Sequence, residues 1–322
     1  MHVGAEGEEQ ARHVGARGKE VRIVRSTGLG ISRRDFLKTG ARIAVGGVAG
    51  LSLAGNARGE AAGKSRVVLV RDQGVLDGEG RIRPDALGKM LDGAVAALTN
   101  ERNSSSAWKR IVSPGDVVGI KTNVWPYLPT PEPMNEILKA RVIGAGVWEE
   151  NVSADDRGVL ADPVFRRSTA LINVRPMRTH YWAGLGSLVK NYITFVPRPS
   201  DYHGNACEPL GAIWNLPHVR GKTRLNVLVM ITPLFHGTGP HHYSPRYVWP
   251  YCGLIVSRDP VAADATGARI IEAKRRAHFG EDRPISPNPR HIAIAGSRYG
   301  LGRSRPEEIE IVRLGWTGDS LI

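Results

Sequence analysis

Leu225 to Ile231 reads LNVLVMI, an apolar run broken by one polar side chain. A run this short and this apolar fits a strand buried on both faces, as in the middle of a parallel sheet. Arg66–Arg71, Val117–Ile120, Leu171–Val174 and Leu254–Ser257 share that character. Helical spacing lies between them. From Pro84 to Leu98, the residues Leu87, Met90, Leu91, Val95 and Leu98 recur at intervals of three and four, which makes one apolar face. Met134–Val142 reads as a short helix. Val261–Ala277 reads as a long one, with Asp259 placed to cap it and Pro260 in its first turn. Strands alternating with helices predict an α/β domain, a mainly parallel sheet flanked by helices and joined by long Gly/Pro-rich loops.

The weaker segments give further expectations. Gly144–Val147 reads as a marginal strand and His291–Ala295 as a last core strand, while Glu308–Leu314 alternates as an edge strand does. Glu149–Asp162 is acidic and without period, so Asp155 and Asp156 are expected on a solvated loop.

The amino-terminal segment follows a different logic. Ser32-Arg33-Arg34-Asp35-Phe36-Leu37-Lys38 fits the twin-arginine export pattern, and an uncharged stretch from Ile43 to Gly55 follows it. That stretch is too short to anchor in a bilayer and has the character of a signal h-region. The expected organisation is a leader with its signal over residues 1–61 and one α/β domain over 62–322. The expected location is periplasmic. The first partner is the twin-arginine translocase, which would read Arg33 and Arg34, and no stable transmembrane anchor is expected.

Charge narrows the list of partners. The chain carries +13, of which residues 1–57 contribute +4 and the remainder +9. A basic mature domain suits a small anionic ligand, an acidic protein partner or an anionic surface, or simply reflects an arginine-rich composition. Nothing interleaves basic and aromatic residues in the manner of nucleic-acid binders. The two cysteines, Cys207 and Cys252, form no CxxC, so the chain's own cysteines cannot ligate an iron–sulfur cluster. They either pair as a disulfide or, in the case of Cys252, fill a small buried space.

Polar groups follow three of the apolar strands. Lys121 and Asn123 follow the second. Arg175, Arg178, His180, Lys190, Asn191, Asp201 and His203 follow the third, and His236, His241 and His242 follow LNVLVMI. If those strands are parallel neighbours, the groups converge on one rim, where α/β sheets place their ligands. Two chemistries stay open. A metal site would draw on two or three of His180, His203, His236, His241 and His242, with Asp201 as a further candidate and His180, His203 and His236 as the expected set, and a transition metal is the cofactor it implies. An anion site would draw on Lys121, Arg178 and Lys190, with Asn123 and Asn191 as amide partners. Gly184-Leu-Gly186 ahead of a helix would add backbone N–H groups for an anion. No nucleophile elbow and no Walker loop is present.

These pieces together resemble a known family. SPGDVVGIKTN, LINVRPMRTHYWAGLGSLVKN, Tyr202-His203-Gly204, DPVAADATGARII and the terminal YGLG…PEEIEIV stand in the order of the family called domain of unknown function, number 362, in its twin-arginine-exported form. The resemblance implies an α/β domain. It also implies that Lys121, Asn123, His180, Lys190, Asn191, His203, Asp259 and Asp264 are the positions the family pattern holds. Two departures stand out: Arg178 where the family often has Lys, and Thr232-Pro233 where it often has Asp-Gly.

The expected function is a periplasmic enzyme with a metal or anion site at the carboxyl rim of the strands. Lys190, His180 and Lys121 would be its catalytic groups, and Asn123, Arg178, Asn191 and Asp259 its ligand-binding groups. The alternative is a non-catalytic accessory protein of an exported redox complex.

Overall fold

The computed structural model describes residues 63–237 and 243–322. The leader with Arg33 and Arg34, and the pair His241 and His242, lie outside the described residues.

The apolar runs become strands of one sheet: β1 (Ser65–Arg71), β2 (Val118–Lys121), β3 (Val152–Asp155), β4 (Ala170–His180), β5 (Gly184–Gly186), β6 (Thr223–Leu234), β7 (Gly253–Ser257) and β8 (Ile309–Gly315). Their order across the sheet is β3-β2-β4-β6-β7-β1-β8, with β5 folded back on β4 as a hairpin. β2 runs parallel to β3 and β4, β4 parallel to β6, and β1 parallel to β8. β7 is antiparallel to both its neighbours, β6 and β1.

The helices are α1 (Pro84–Thr99), α2 (Ser104–Lys109), α3 (Glu132–Gly144), α4 (Pro163–Arg167), α5 (Leu188–Asn191), α6 (Leu210–Trp214), α7 (Pro260–Phe279) and α8 (His291–Ser297). They cover both faces of the sheet. Val68, Val70, Val227 and Val229 face α1 to α3, while Val67, Leu69, Leu228 and Met230 face α5 to α8. This is the period-two alternation of a strand buried on both sides. Asp259 caps α7 as expected, accepting from the Ala262 N–H at 2.9 Å. Among the described residues no helix is long and apolar enough to cross a membrane.

Four expectations need correction. Gly144 closes α3 and no strand follows it there. Residues 152–155 of the supposed acidic loop form the edge strand β3, because Val152 and Ala154 pair with the exposed side of β2. His291–Ala295 is the start of α8, so its apolar residues were read with the wrong period. Gly184–Gly186 is the return strand of a hairpin. Gly184 takes φ +71°, and a Cβ there would collide with the Pro287 carbonyl.

Candidate functional site

The three parallel neighbours β2, β4 and β6 end on one rim, and β4 overshoots the others. Its register against β6 breaks between Pro176 and Arg178. That break carries Arg178, Thr179 and His180 past the regular ladder. The chain then turns at Tyr181 and Trp182 and returns through β5 into α5, which brings Lys190 and Asn191 to the same place.

The result is a cavity of about 190 Å³ lined by Asn123, Trp125, Asp156, Arg157, Arg175, Arg178, His180, Lys190, Asn191, Ile193, Thr194, Pro199 and His203. Clefts for drug-sized ligands run from roughly 300 to 1,000 Å³, so this one suits a small molecule.

Its walls are cationic. Arg175, Arg178 and Lys190 are at most 4 % exposed, and Lys121 behind them is wholly buried. Lys121 is held in place: its ammonium is ion-paired with Asp156 and donates to the Thr122 carbonyl at 2.8 Å. Burial still lowers its pKa, to about 8. Burial alone would raise the Asp156 carboxyl, but Lys121 and the Val124 N–H at 2.9 Å hold it below the usual range. Asp156 is therefore a buried counter-ion, and the expectation of a solvated loop was wrong. A carboxylate two residues before Gly158, on the far side of the strand it serves, left no pattern in the sequence.

Lys190 has no such partner. Among the described residues its Nζ hydrogen-bonds only to Cys207 Sγ, at 3.6 Å, and burial among arginines lowers its pKa to about 8. Arg175 is lowered by burial to about 10, and Arg178 goes well below its ordinary value for the same reason. Arg178 stacks over Trp125, guanidinium carbon to ring centre 3.9 Å, and donates to the Thr179 carbonyl. Among the described residues the Nε–H groups of both Arg175 and Arg178 find no acceptor. Two buried guanidinium donors without partners, on the wall of a cavity, are what an anion satisfies.

The imidazoles are neutral. Burial and then Lys190 push His180 far down, and the same two causes bring His203 to about 4. The His180 Nδ1 accepts from the Trp182 N–H at 3.2 Å, so its proton sits on Nε2 and that nitrogen is a donor. A ring so arranged offers a metal no lone pair on Nε2. His203 stacks on Trp182 at 4.2 Å between ring centres. His236, the third expected metal residue, is elsewhere. It lines a separate cavity with Tyr243 and Tyr247, and its Nδ1 pairs with Arg275 at 2.9 Å. The set His180, His203 and His236 is not assembled. Among the described residues no three His, Cys, Asp or Glu side chains gather in a way that could hold a metal.

Three other expected residues have structural work. Asp259 stands at the opposite edge of the sheet, because β7 is antiparallel and ends where β6 begins. There it caps α7 and accepts from Ser65 at 2.5 Å and from the Arg303 N–H at 2.8 Å. The anion at the start of α5 is the protein's own. Asp264 from α7 accepts from the Ser187 hydroxyl and from the Leu188 and Val189 N–H groups at 2.7 to 2.9 Å. Burial raises its carboxyl to about 7 against those three hydrogen bonds. Asn191 lines the cavity but spends its Nδ2 on the Lys121 and Val174 carbonyls and on Asn173, which is in turn bonded to Asn226. That row of buried amides ties α5 to β2, β4 and β6.

Sequence reasoning gave no place in the site to Trp125, Asp156 or His291, named Arg175 without a role, and considered Cys207 only as a disulfide partner of Cys252, whereas both cysteines are free and buried. His291 on α8 is fully buried, and neither ring nitrogen has a hydrogen-bond partner among the described residues. Burial and then Lys190 and Arg175 lower it to about 3.

Searches of curated proteins and of solved structures returned no match. Residues 157–269, which carry Arg175, Arg178, His180, Lys190, Asn191, His203 and Asp264, match the model of the family described as Domain of unknown function (DUF362).

Proposed function

We propose that the chain is an enzyme, exported as a folded protein, that binds a small organic anion at the carboxyl rim of β2, β4 and β6. One observation carries this reading. Arg175, Arg178 and Lys190 are buried around one small cavity, and Asp156, already paired with Lys121, is the one carboxylate on its wall among the described residues. Burying like charges together costs stability, and an incoming anion recovers it. Arg175 and Arg178 hold the anion. Lys190 and His180 stand beside it as the groups able to exchange or donate a proton. The twin-arginine pattern at Arg33 and Arg34 supports the export part of the reading.

Thermal unfolding of the purified protein with phosphate, oxalate, acetate and pyruvate tests it. At least one of these raises the midpoint, by about 2.7 kcal/mol of stabilisation when present at 100 times its dissociation constant. Arg178→Gln loses most of that gain. No shift with any small anion, or an equal shift in Arg178→Gln, overturns the reading.

A further inference from the structure

Lys190 differs from Arg178 and Lys121, two other buried cations of the site, in what surrounds it. Arg178 has a carbonyl and an indole face, and Lys121 has a carboxylate. Among the described residues the Lys190 ammonium has no carboxylate within ion-pair reach, and its single hydrogen-bond partner there is the Cys207 thiol. Cys207 is fully buried at φ +66°, the last of three consecutive residues in the left-handed region after Asn205 and Ala206. The backbone thus holds a weak, uncharged acceptor against the amine where a charged one would have fixed an ammonium. The other charged or titratable groups around Lys190 are Arg175, Arg178, His180, His203 and His291, and the one carboxylate among the described residues lining the same cavity, Asp156, is ion-paired with Lys121. A desolvated amine beside other cations is how proteins obtain a nucleophilic lysine at ordinary pH.

Resting on the anion-site reading above, we propose that Lys190 is a nucleophile that forms an imine with the keto carbon of a small α-keto acid, whose carboxylate is held by Arg175 and Arg178. The keto acid class follows from the two halves of the cavity. Unpartnered guanidinium Nε–H groups call for a carboxylate, and an amine that no carboxylate holds among the described residues calls for an adjacent carbonyl carbon. The volume of about 190 Å³ limits the rest of the molecule to a few atoms. The amine lone pair adds to the carbonyl carbon, and the C=O π pair moves to oxygen. That oxygen takes both protons that the nitrogen releases, one of them by way of the His180 Nε2–H, which is donated to oxygen and restored from the nitrogen, so the imidazole ends neutral as it began. It leaves as water while the nitrogen lone pair closes C=N. Water is the sole by-product and no oxidant or reductant is required. A fall in the Lys190 pKa to about 8 leaves a usable share of free amine near neutral pH.

Borohydride trapping tests this on the intact chain. Wild type is incubated with pyruvate, or with acetone as the same carbonyl without a carboxylate, then reduced and mapped by peptide mass spectrometry. Calorimetry run in parallel measures pyruvate binding without reduction. The expected result is a secondary-amine adduct on the peptide holding Lys190 with pyruvate, at least tenfold weaker with acetone. The adduct is absent in Lys190→Gln and reduced in Arg178→Gln. The acetone comparison needs no variant, so it stands even if a substitution unfolds the protein. Pyruvate that binds but leaves Lys190 unmodified, or modifies surface lysines alone, overturns the imine and spares the anion site. Failure of every small anion to bind removes both.

Discussion

Lys190 also leaves a mark on stability that is independent of any ligand. Its pKa is about 8 when folded against 10.5 as a free side chain. Between those values the unfolded chain binds more protons than the folded one, so stability rises as pH goes from about 8 to 10.5 and is lowest below that window. The difference corresponds to about 3 kcal/mol for one fully buried group. Lys190→Met removes that dependence. Urea midpoints at pH 7.5 and 10.5 should therefore differ less in Lys190→Met than in wild type, with the variant more stable at the lower pH. Parallel curves for the two proteins would refute the lowered pKa. At this scale the sequence was legible where a residue's neighbours are local. His180 and Lys190 were found because they stand beside one strand end. Asp156 and His291 were not, because their partners, Lys121 and the cationic wall, lie on other elements.

Among the elements, α5 is the one the site depends on, and it is too short to hold itself. Helices of a single turn gain almost nothing from propensity. What fixes this one is Asp264, reaching from α7 to the Ser187 hydroxyl and the first two N–H groups. Asp264→Ala leaves three buried donors unsatisfied, at about 1–3 kcal/mol each. We expect a loss of at least 3 kcal/mol in chemical denaturation, with Asp264→Asn losing less because its amide oxygen still accepts. A loss below 1 kcal/mol for the alanine variant would show that α5 is held by packing alone. The direction of β7 was also readable in principle. Residues 232–252 show no helical period, and a parallel neighbour needs a crossover of a dozen or more residues, usually a helix. Expecting a mainly parallel sheet obscured that signal, and Asp259 was assigned to the wrong edge as a result.

At the scale of the molecule, the first strand of the described residues pairs with the last. β1 runs parallel to β8 along seven residues, from Ser65 with Ile309 to Arg71 with Gly315. β1 also joins β7 to β8, so the sheet is not complete until the end of the chain is available. Such long-range pairing is slow, and it cannot finish while residues 309–315 are still being synthesised. A chain of this topology suits an export route that accepts folded cargo, which is what Arg33 and Arg34 lead us to expect. Two changes separate that route from one that threads unfolded chain. The double substitution Arg33→Lys with Arg34→Lys keeps the charge but removes the guanidinium geometry. It should leave folded precursor in the cytoplasm. Deleting residues 309–322 removes the partner of β1 and exposes one edge of it, so the sheet does not close. With the leader intact, this truncated chain should also stay behind, now protease-sensitive. Fractionation of cells expressing each form reads both outcomes. If the truncated chain reaches the periplasm as efficiently as wild type, export does not wait for the sheet, and the case for a protein that folds around its ligand site before it leaves the cytoplasm fails.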